Sequence, residues 1–223
     1  YAQNIKDTPA DVNIITQEDI RKYGHRTIAD VLKSIAGIYP GITNAGAQNT
    51  LGVSGIAISG DFGSRLLYLI NGMPFYEPTY GGVFTEIIDL DSIKRIEVIL
   101  GPGSALYGSG AVLAVINFIT QNGQSSTGNQ AVATLASHGQ IKLQINHGHV
   151  SASGVDSFLS ASVNSQQGRD FFLPEYADPV YNNGLSTDNN GQQNIRLFWR
   201  ISRQQSWLQW HFARDRVTDP LAT

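Results

Sequence analysis

Residues 93–120 read "IKRIEVILGPGSALYGSGAVLAVINFIT". An apolar run enters a loop carrying Gly101, Gly103, Gly108 and Gly110, and a second apolar run leaves it. Glycine loops that follow strands often cradle phosphate, but this spacing argues against it. A Walker-type loop needs Lys and then Ser or Thr directly after its second glycine, to serve the phosphates and magnesium. Here Gly108 is followed by Ser109. The dinucleotide fingerprint places two residues between its second and third glycines, whereas four separate Gly103 from Gly108. The glycines therefore read as packing residues, which turn the chain sharply and let strands approach where a side chain would obstruct.

Upstream, Asp11–Ile15 reads as a short strand, and Thr16 reads as the N-cap of a helix with Glu18 and Asp19 complementing its dipole. Gly24 closes that helix. Thr27 and Asp30 repeat the capping pattern, and Ile28, Val31, Leu32 and Ile35 then share one helical face. Two short helices with a tight turn superficially resemble a DNA-reading pair, with Arg26 and Lys33 on phosphates. A net charge of −3 with interleaved signs supplies no basic face, so nucleic acid is not an expected partner. Short strands alternate with glycines from Leu51 to Asn71, and "NGMP" reads as a turn. The first 124 residues are predicted to form an α+β domain.

The composition shifts at "QNGQSSTGNQ", residues 121–130, which is polar and linker-like; residues 125–130 are assigned as the linker. Beyond it the pattern has period two. Ile141, Leu143 and Ile145 alternate with Lys142, Gln144 and Asn146, and Leu159, Ala161 and Val163 alternate with Ser160, Ser162 and Asn164. Ile195, Leu197, Trp199 and Ile201 continue the pattern, as do Leu208, Trp210 and Phe212. With a weaker strand at 131–136, about five antiparallel strands are predicted in residues 131–223. A soluble sandwich and a membrane barrel both produce this alternation. Connection lengths favour the barrel, because the long connection at 168–193 lies at the same end as 137–140 while the other end has modest turns. No window holds the roughly 18 apolar residues of a spanning helix, so any crossing is by strands.

Charged residues make up 15% of the 223, and cysteine is absent, which removes disulfides, zinc-thiolate sites and thiol nucleophiles. There is no Gly-x-Ser-x-Gly elbow, and Asp89 and Asp91 read as turn acids, so no catalytic residue, enzyme activity or cofactor is expected. His147 and His149 point the same way on a strand but lack further ligands, and they read as interfacial side chains with no metal. Trp199, Trp207 and Trp210 suit a membrane-interface belt.

The opening stretch, together with "LLYLINGMP" at 66–74, "IADVLKSIAGIYPG" at 28–41 and "DTPADVNIITQEDI" at 7–20, resembles the plug domain of TonB-dependent outer-membrane receptors. The resemblance implies a plug over residues 1–124, standing in a 22-stranded barrel whose first strands fill 131–223. It also implies location in the outer membrane of a Gram-negative bacterium, in contact with outer-membrane lipid. A scarce nutrient complex, of the iron-siderophore, haem or cobalamin class, would be imported with energy delivered by TonB. In such plugs the outward loops touch the ligand, which by position nominates Asn44, Gln48, Phe75, Tyr76, Glu77, Tyr80 and Phe84. The absence of histidine from these loops disfavours axial haem ligation. An incomplete sheet would present an open edge that favours pairing with another copy.

Three departures stand out. The family's Ile-Arg-Gly unit reads Ile58, Ser59, Gly60; its Arg before Gly-Pro is Leu100; and Leu113 and Ala114 replace a Gly-Gly pair. The TonB box is not identifiable in "YAQNIK". The missing arginines keep a second reading open, a non-transporting sensor or interaction protein with a plug-like domain. A soluble periplasmic binding domain with a β-sandwich is a third.

Overall fold

The computed structural model describes residues 11–42, 49–56, 63–75, 88–137, 139–189 and 191–218. Those up to Gln121 form one compact unit and those from Asn122 another. The first unit runs β1 (Asp11–Thr16), α1 (Gln17–Lys22), α2 (Ile28–Lys33), β2 (Ile38–Ile42), β3 (Asn49–Val53), β4 (Leu66–Ile70), β5 (Met73–Pro74), β6 (Ile93–Leu100), α3 (Ser104–Tyr107) and β7 (Ala114–Thr120). Its main sheet has the order β1–β6–β7–β4–β5, with β4 parallel to β7 and the other pairs antiparallel.

Both expected helix starts are full capping boxes. The Asp19 and Asp30 amides donate to the Thr16 and Thr27 hydroxyls, and each carboxylate accepts the cap residue's own N–H, at 2.9 Å for Thr16 and 3.1 Å for Thr27. Two otherwise orphaned donors are satisfied at each start. The helices then bury Ile20, Ile28, Val31 and Leu32 in the main core, with Leu66, Tyr68, Ile70, Ile96, Val98, Ile116 and Phe118 from the sheet. Every residue of β4 is buried; Leu67 and Leu69 pack on the opposite face with Ala111 and Val115. Full burial of one such side chain contributes about 1.5–3 kcal/mol. Leu100, where the family carries Arg, packs against the main core, while Ser59 lies outside the described residues.

The glycine loop closes on itself. The Gly101 amide donates to the Leu113 carbonyl and that of Gly103 to Ala111, each at 2.9 Å, while Tyr107 and Gly108 donate to Gly103 and Ser104. These N–H groups are therefore committed internally, and the loop has no amide cradle for phosphate at them. Gly101 has φ of 107°, a left-handed conformation that side chains resist, and a Cβ on Gly103 would meet Val115 Cγ2 at 3.0 Å.

The second unit contains β8 (Gly128–Ala136), β9 (Gln140–Val150), β10 (Asp156–Gln166), β11 (Arg169–Phe172), β12 (Leu185–Asn189), β13 (Gln192–Arg203) and β14 (Ser206–Val217). Five of these strands form an open antiparallel sheet in the order β14–β13–β10–β9–β8. Its alternation is inside out. Ile145 is 61% exposed whereas its neighbours Gln144 and Asn146 are 3% and 5% exposed. Leu143, Leu159, Val163, Ile195, Trp199, Leu208, Trp210 and Phe212 are likewise exposed, and Ser160, Ser162, Asn164 and Asn194 are buried. A soluble sandwich would bury the apolar face; a membrane barrel turns it toward lipid.

Two sequence readings differ from the structure. The stretch read as a linker at 125–130 is ordered: β8 already begins at Gly128, and Asn122–Thr127 forms a turn with Ser126 buried. The Asp156 carboxylate fixes this turn by accepting from the Gly123 and Gln124 amides at 2.7 and 3.2 Å. The glycines serve close approach rather than flexibility, since a Cβ on Gly123 would stand 2.7 Å from the Ser157 carbonyl oxygen. Trp207 also departs from the belt reading, because alternation puts it on the face of Gln209 and His211, while Trp199 and Trp210 pair across the apolar face.

Two measurements follow from this architecture. Leu143→Arg, at the centre of the outward apolar run of β9, is expected to destabilise the membrane-inserted protein by about 2–4 kcal/mol, read from folding titrations into vesicles; a change near zero contradicts the lipid-facing assignment. The Thr16 hydroxyl and then its N–H hold the Asp19 carboxyl below the usual aspartate range. Because the folded value is the lower one, the stabilisation is complete above an unfolded value of about 3.9 and is lost as pH falls through the folded value. Thr16→Ala should raise the Asp19 pKa toward its ordinary value, as followed by carboxyl NMR titration.

Candidate ligand-binding site

The plug segment nominated for ligand contact starts from a turn whose conformation the sequence dictates. Asn71 and Gly72 both have positive φ, 52° and 81°, the pair required by a type I′ hairpin between β4 and β5. The Asn71 amide donates to Phe118 O at 2.9 Å, its side-chain oxygen accepts from the Thr120 amide at 3.0 Å, and the Gly72 amide donates to Asn117 Oδ1 at 3.0 Å. Asn117 in turn donates to Glu97 Oε2 at 3.1 Å, and Arg95 holds the other carboxylate oxygen at 2.7 Å. The turn is thus anchored to both β6 and β7.

Phe75 leaves this turn with its amide bonded to Tyr68 O at 2.8 Å and its half-buried ring packed against the main core. That is the environment of a packing residue. Asn44, Gln48, Tyr76, Glu77, Tyr80 and Phe84 lie outside the described residues.

A second surface emerges in the other unit, at the end of the sheet that carries the long connection. There β11 and β12 pair as a hairpin inside residues 167–191. Its base is pinned. Asp188 accepts from the Gly168 amide at 2.7 Å and the Thr218 hydroxyl at 3.1 Å, and the buried Asn189 side chain donates to the Arg169 and Ser186 carbonyls, each at 2.8 Å. Above the base, Phe171, Phe172, Tyr176 and Tyr181 are all exposed, and the two tyrosine rings meet edge to face at 5.6 Å. A fixed base under exposed aromatics offers stacking surface and hydroxyl donors at small ordering cost.

The polar face at the same end of the sheet carries a side-chain ladder across four strands. Gln140 donates to Asn164 at 3.1 Å, Asn164 to Asn194 at 2.8 Å, and Asn194 to Asp215, whose same oxygen lies 3.5 Å from Arg196 Nη2. It forms a stiff hydrophilic wall next to the hairpin. His147 and His149 stand on the opposite, exposed face, where His147 Nδ1 engages Asn129 Oδ1 at 2.7 Å. Among the described residues no three His, Asp or Glu side chains gather as a metal site. The sequence reading passed over the hairpin aromatics; their signal was the aromatic density of "DFFLPEYADPVY", residues 170–181, inside a polar connection.

Residues 4–115 match the family model of the TonB-dependent receptor plug domain. The chain belongs to that family. Among curated proteins it is 36% identical over 143 residues to the iron-regulated outer membrane virulence protein of Vibrio cholerae, which covers 60% of this chain and 21% of the relative. It is 29% identical over 175 residues to the vitamin B12 transporter BtuB of Vibrio vulnificus, covering 78% and 28%. The chain thus spans roughly a fifth to under a third of these relatives. Solved structures with the same fold include the pyoverdine receptor FpvA of Pseudomonas aeruginosa, with a TM-score of 0.66 at 16% identity over 93% of this chain and 28% of that one. The ferric enterobactin receptor PfeA of the same species has a TM-score of 0.68 at 18% identity, covering 94% and 34%. The fold is a plug followed by antiparallel strands of an outer-membrane barrel, and the protein is located in the outer membrane.

Asn117→Ala should release the turn. Loss of its bonds to Gly72 and Glu97 is expected to cost about 1–2 kcal/mol, with faster amide exchange from Gly72 to Phe75 in a hydrogen-exchange experiment and little change in α1 and α2.

Proposed function

We propose that this chain is part of a receptor that captures a scarce nutrient complex outside the cell and imports it with energy from TonB. The plug comprises the unit ending at Gln121, and the transporting wall begins with the turn at Asn122. The observation that carries this reading is the β11–β12 hairpin, a pinned aromatic surface at the long-connection end of an inside-out sheet. Outer-membrane barrels place their long loops outside the cell, so the hairpin stands where a ligand arrives. The ligand class is an iron-siderophore, haem or cobalamin complex, with siderophore and cobalamin supported by the relatives named for iron regulation and vitamin B12 transport.

The test is uptake and growth on each compound by cells carrying the full receptor, with TonB present and deleted. Uptake of one compound that disappears without TonB supports import; binding with TonB-independent accumulation, or none, supports the sensor reading instead. In the same assay, Tyr176→Ala with Tyr181→Ala is expected to weaken ligand binding about 5- to 150-fold, from roughly 0.5–1.5 kcal/mol for each of the two lost aromatic contacts. The receptor level in the membrane should be unchanged, because both rings are exposed.

A further inference from the structure

We propose that the β11–β12 hairpin selects its ligand by charge, admitting an uncharged or, with higher affinity, a cationic metal complex and turning away polyanionic ones. This rests on the reading of the hairpin as the surface that meets the incoming ligand, and it adds the charge class that the aromatic rings alone leave open.

Aromatic faces stack on planar and apolar groups of ligands of either sign. The charges set among the rings therefore decide. The hairpin segment 168–189 carries four acids, Asp170, Glu175, Asp178 and Asp188, against one base, Arg169, and all five are exposed. The acids are interleaved with the rings. Asp170 precedes Phe171 and Phe172, Glu175 precedes Tyr176, and Asp178 stands between Tyr176 and Tyr181.

The donors that these carboxylates engage are neutral. Asp170 accepts from the Asp188 amide at 3.0 Å, Asp178 from the Val180 amide at 2.9 Å, and Asp188 from the Gly168 amide and the Thr218 hydroxyl. Such bonds fix the carboxylates and leave their charge in place. The cations at this end of the sheet are directed elsewhere. On the polar face Arg196 lies 3.5 Å from Asp215, and Lys142 shares that acid's row. Alternation puts Arg214 and Arg216 on the outward face with Phe212.

Asp178 is held beside the tyrosine pair by the main chain. Its carbonyl accepts from the Tyr181 and Asn183 amides, each at 2.9 Å, and its own amide donates to Tyr176 O at 2.7 Å. One carboxylate is thus built into the turn that brings the two rings edge to face. Rings beside a carboxylate attract a cation through the ring quadrupole and through direct Coulomb attraction. A polyanion meets the same carboxylates as like charges, which weaken its binding and slow its approach.

The experiment measures equilibrium binding to full-length receptor in detergent, with one chelate presented at three charges. Ferrioxamine B carries a free ammonium group, its N-acetyl derivative is uncharged, and its N-succinyl derivative is anionic; ferric enterobactin, a polyanion, is the fourth probe. Affinity should fall in that order, with ferrioxamine B bound at least about fivefold more tightly than the succinyl derivative. The triple variant Asp170→Asn, Glu175→Gln, Asp178→Asn keeps the oxygens that accept from the backbone and should reduce this preference at least about twofold. Glu18→Gln, an exposed acid of α1, should leave it unchanged. Heat-modifiable gel mobility checks folding, and if the triple variant fails to fold, the charge series on the parent decides. Tightest binding of ferric enterobactin, equal binding across the series, failure to bind any member of it, or a folded triple variant with the parent's preference each overturns the proposal. TonB-dependent uptake of a polyanionic complex would overturn it and leave import standing, whereas the expected order of binding without TonB-dependent uptake would remove import and leave the charge selection intact.

Discussion

Asn117 joins three parts of the plug that are far apart in sequence. Its oxygen accepts from Gly72 in the β4–β5 turn, and its nitrogen donates to Glu97 on β6. Because β4 and β7 are parallel, they cannot be linked by a tight turn, and 43 residues separate the end of β4 from the start of β7. Something other than local chain geometry must hold the turn after β4 in register with β7, and the Asn71–Thr120 and Gly72–Asn117 contacts do so. With that register fixed, the alternation of β4 sends Leu66, Tyr68 and Ile70 to the helices and Leu67 and Leu69 to the glycine lobe.

The glycine lobe shows how a sequence that resembles a ligand loop becomes a structural one. Phosphate loops keep several amides unpaired and aimed at one point. Here the Gly101 and Gly103 amides cross to Leu113 and Ala111, which carries the ladder of β6 and β7 past the strand ends. The positive φ at Gly101 lets the chain make that crossing, and the missing side chain at Gly103 lets Val115 fill the space beneath. Conformation and contact both call for glycine, without any ligand.

Much of the plug was legible because its signals are local. Thr16 with Asp19 and Thr27 with Asp30 specify helix starts by side-chain chemistry within one turn, and Asn71-Gly72 specifies a hairpin by backbone conformation. Other features depend on contacts that local sequence does not carry. β2 contains Pro40 and Gly41, both poor strand residues, and forms through pairing with β3. Gly/Ser-rich composition at Gly123–Gly128 has the same appearance whether the chain is loose or closely packed; Asp156, more than twenty residues away, makes it the latter. The period-two strands fixed which residues share a face but not which face meets water, since exchanging the faces leaves the pattern unchanged.

The position of the apolar residues along successive strands contains information that the alternation lacks. On β9 the outward apolar residues are Ile141–Ile145, centred on Leu143; on β14 they are Leu208–Phe212, centred on Trp210. Following hydrogen-bonded partners from Leu143 leads to Val163, Ile195 and Arg214, so the centre of the band has moved four residues over three strand-to-strand steps. With about 3.3 Å per residue and about 4.8 Å between strands, this displacement corresponds to strands tilted roughly 40° from the band's normal, within the range of membrane barrels. A flat band across an untilted sheet would follow the hydrogen-bonded rows instead. The drift is written into side-chain identities, which the lipid selects, and the tilt into backbone register, which the strands select. Their agreement gives this open sheet the stagger that strands need if a sheet is to close into a barrel.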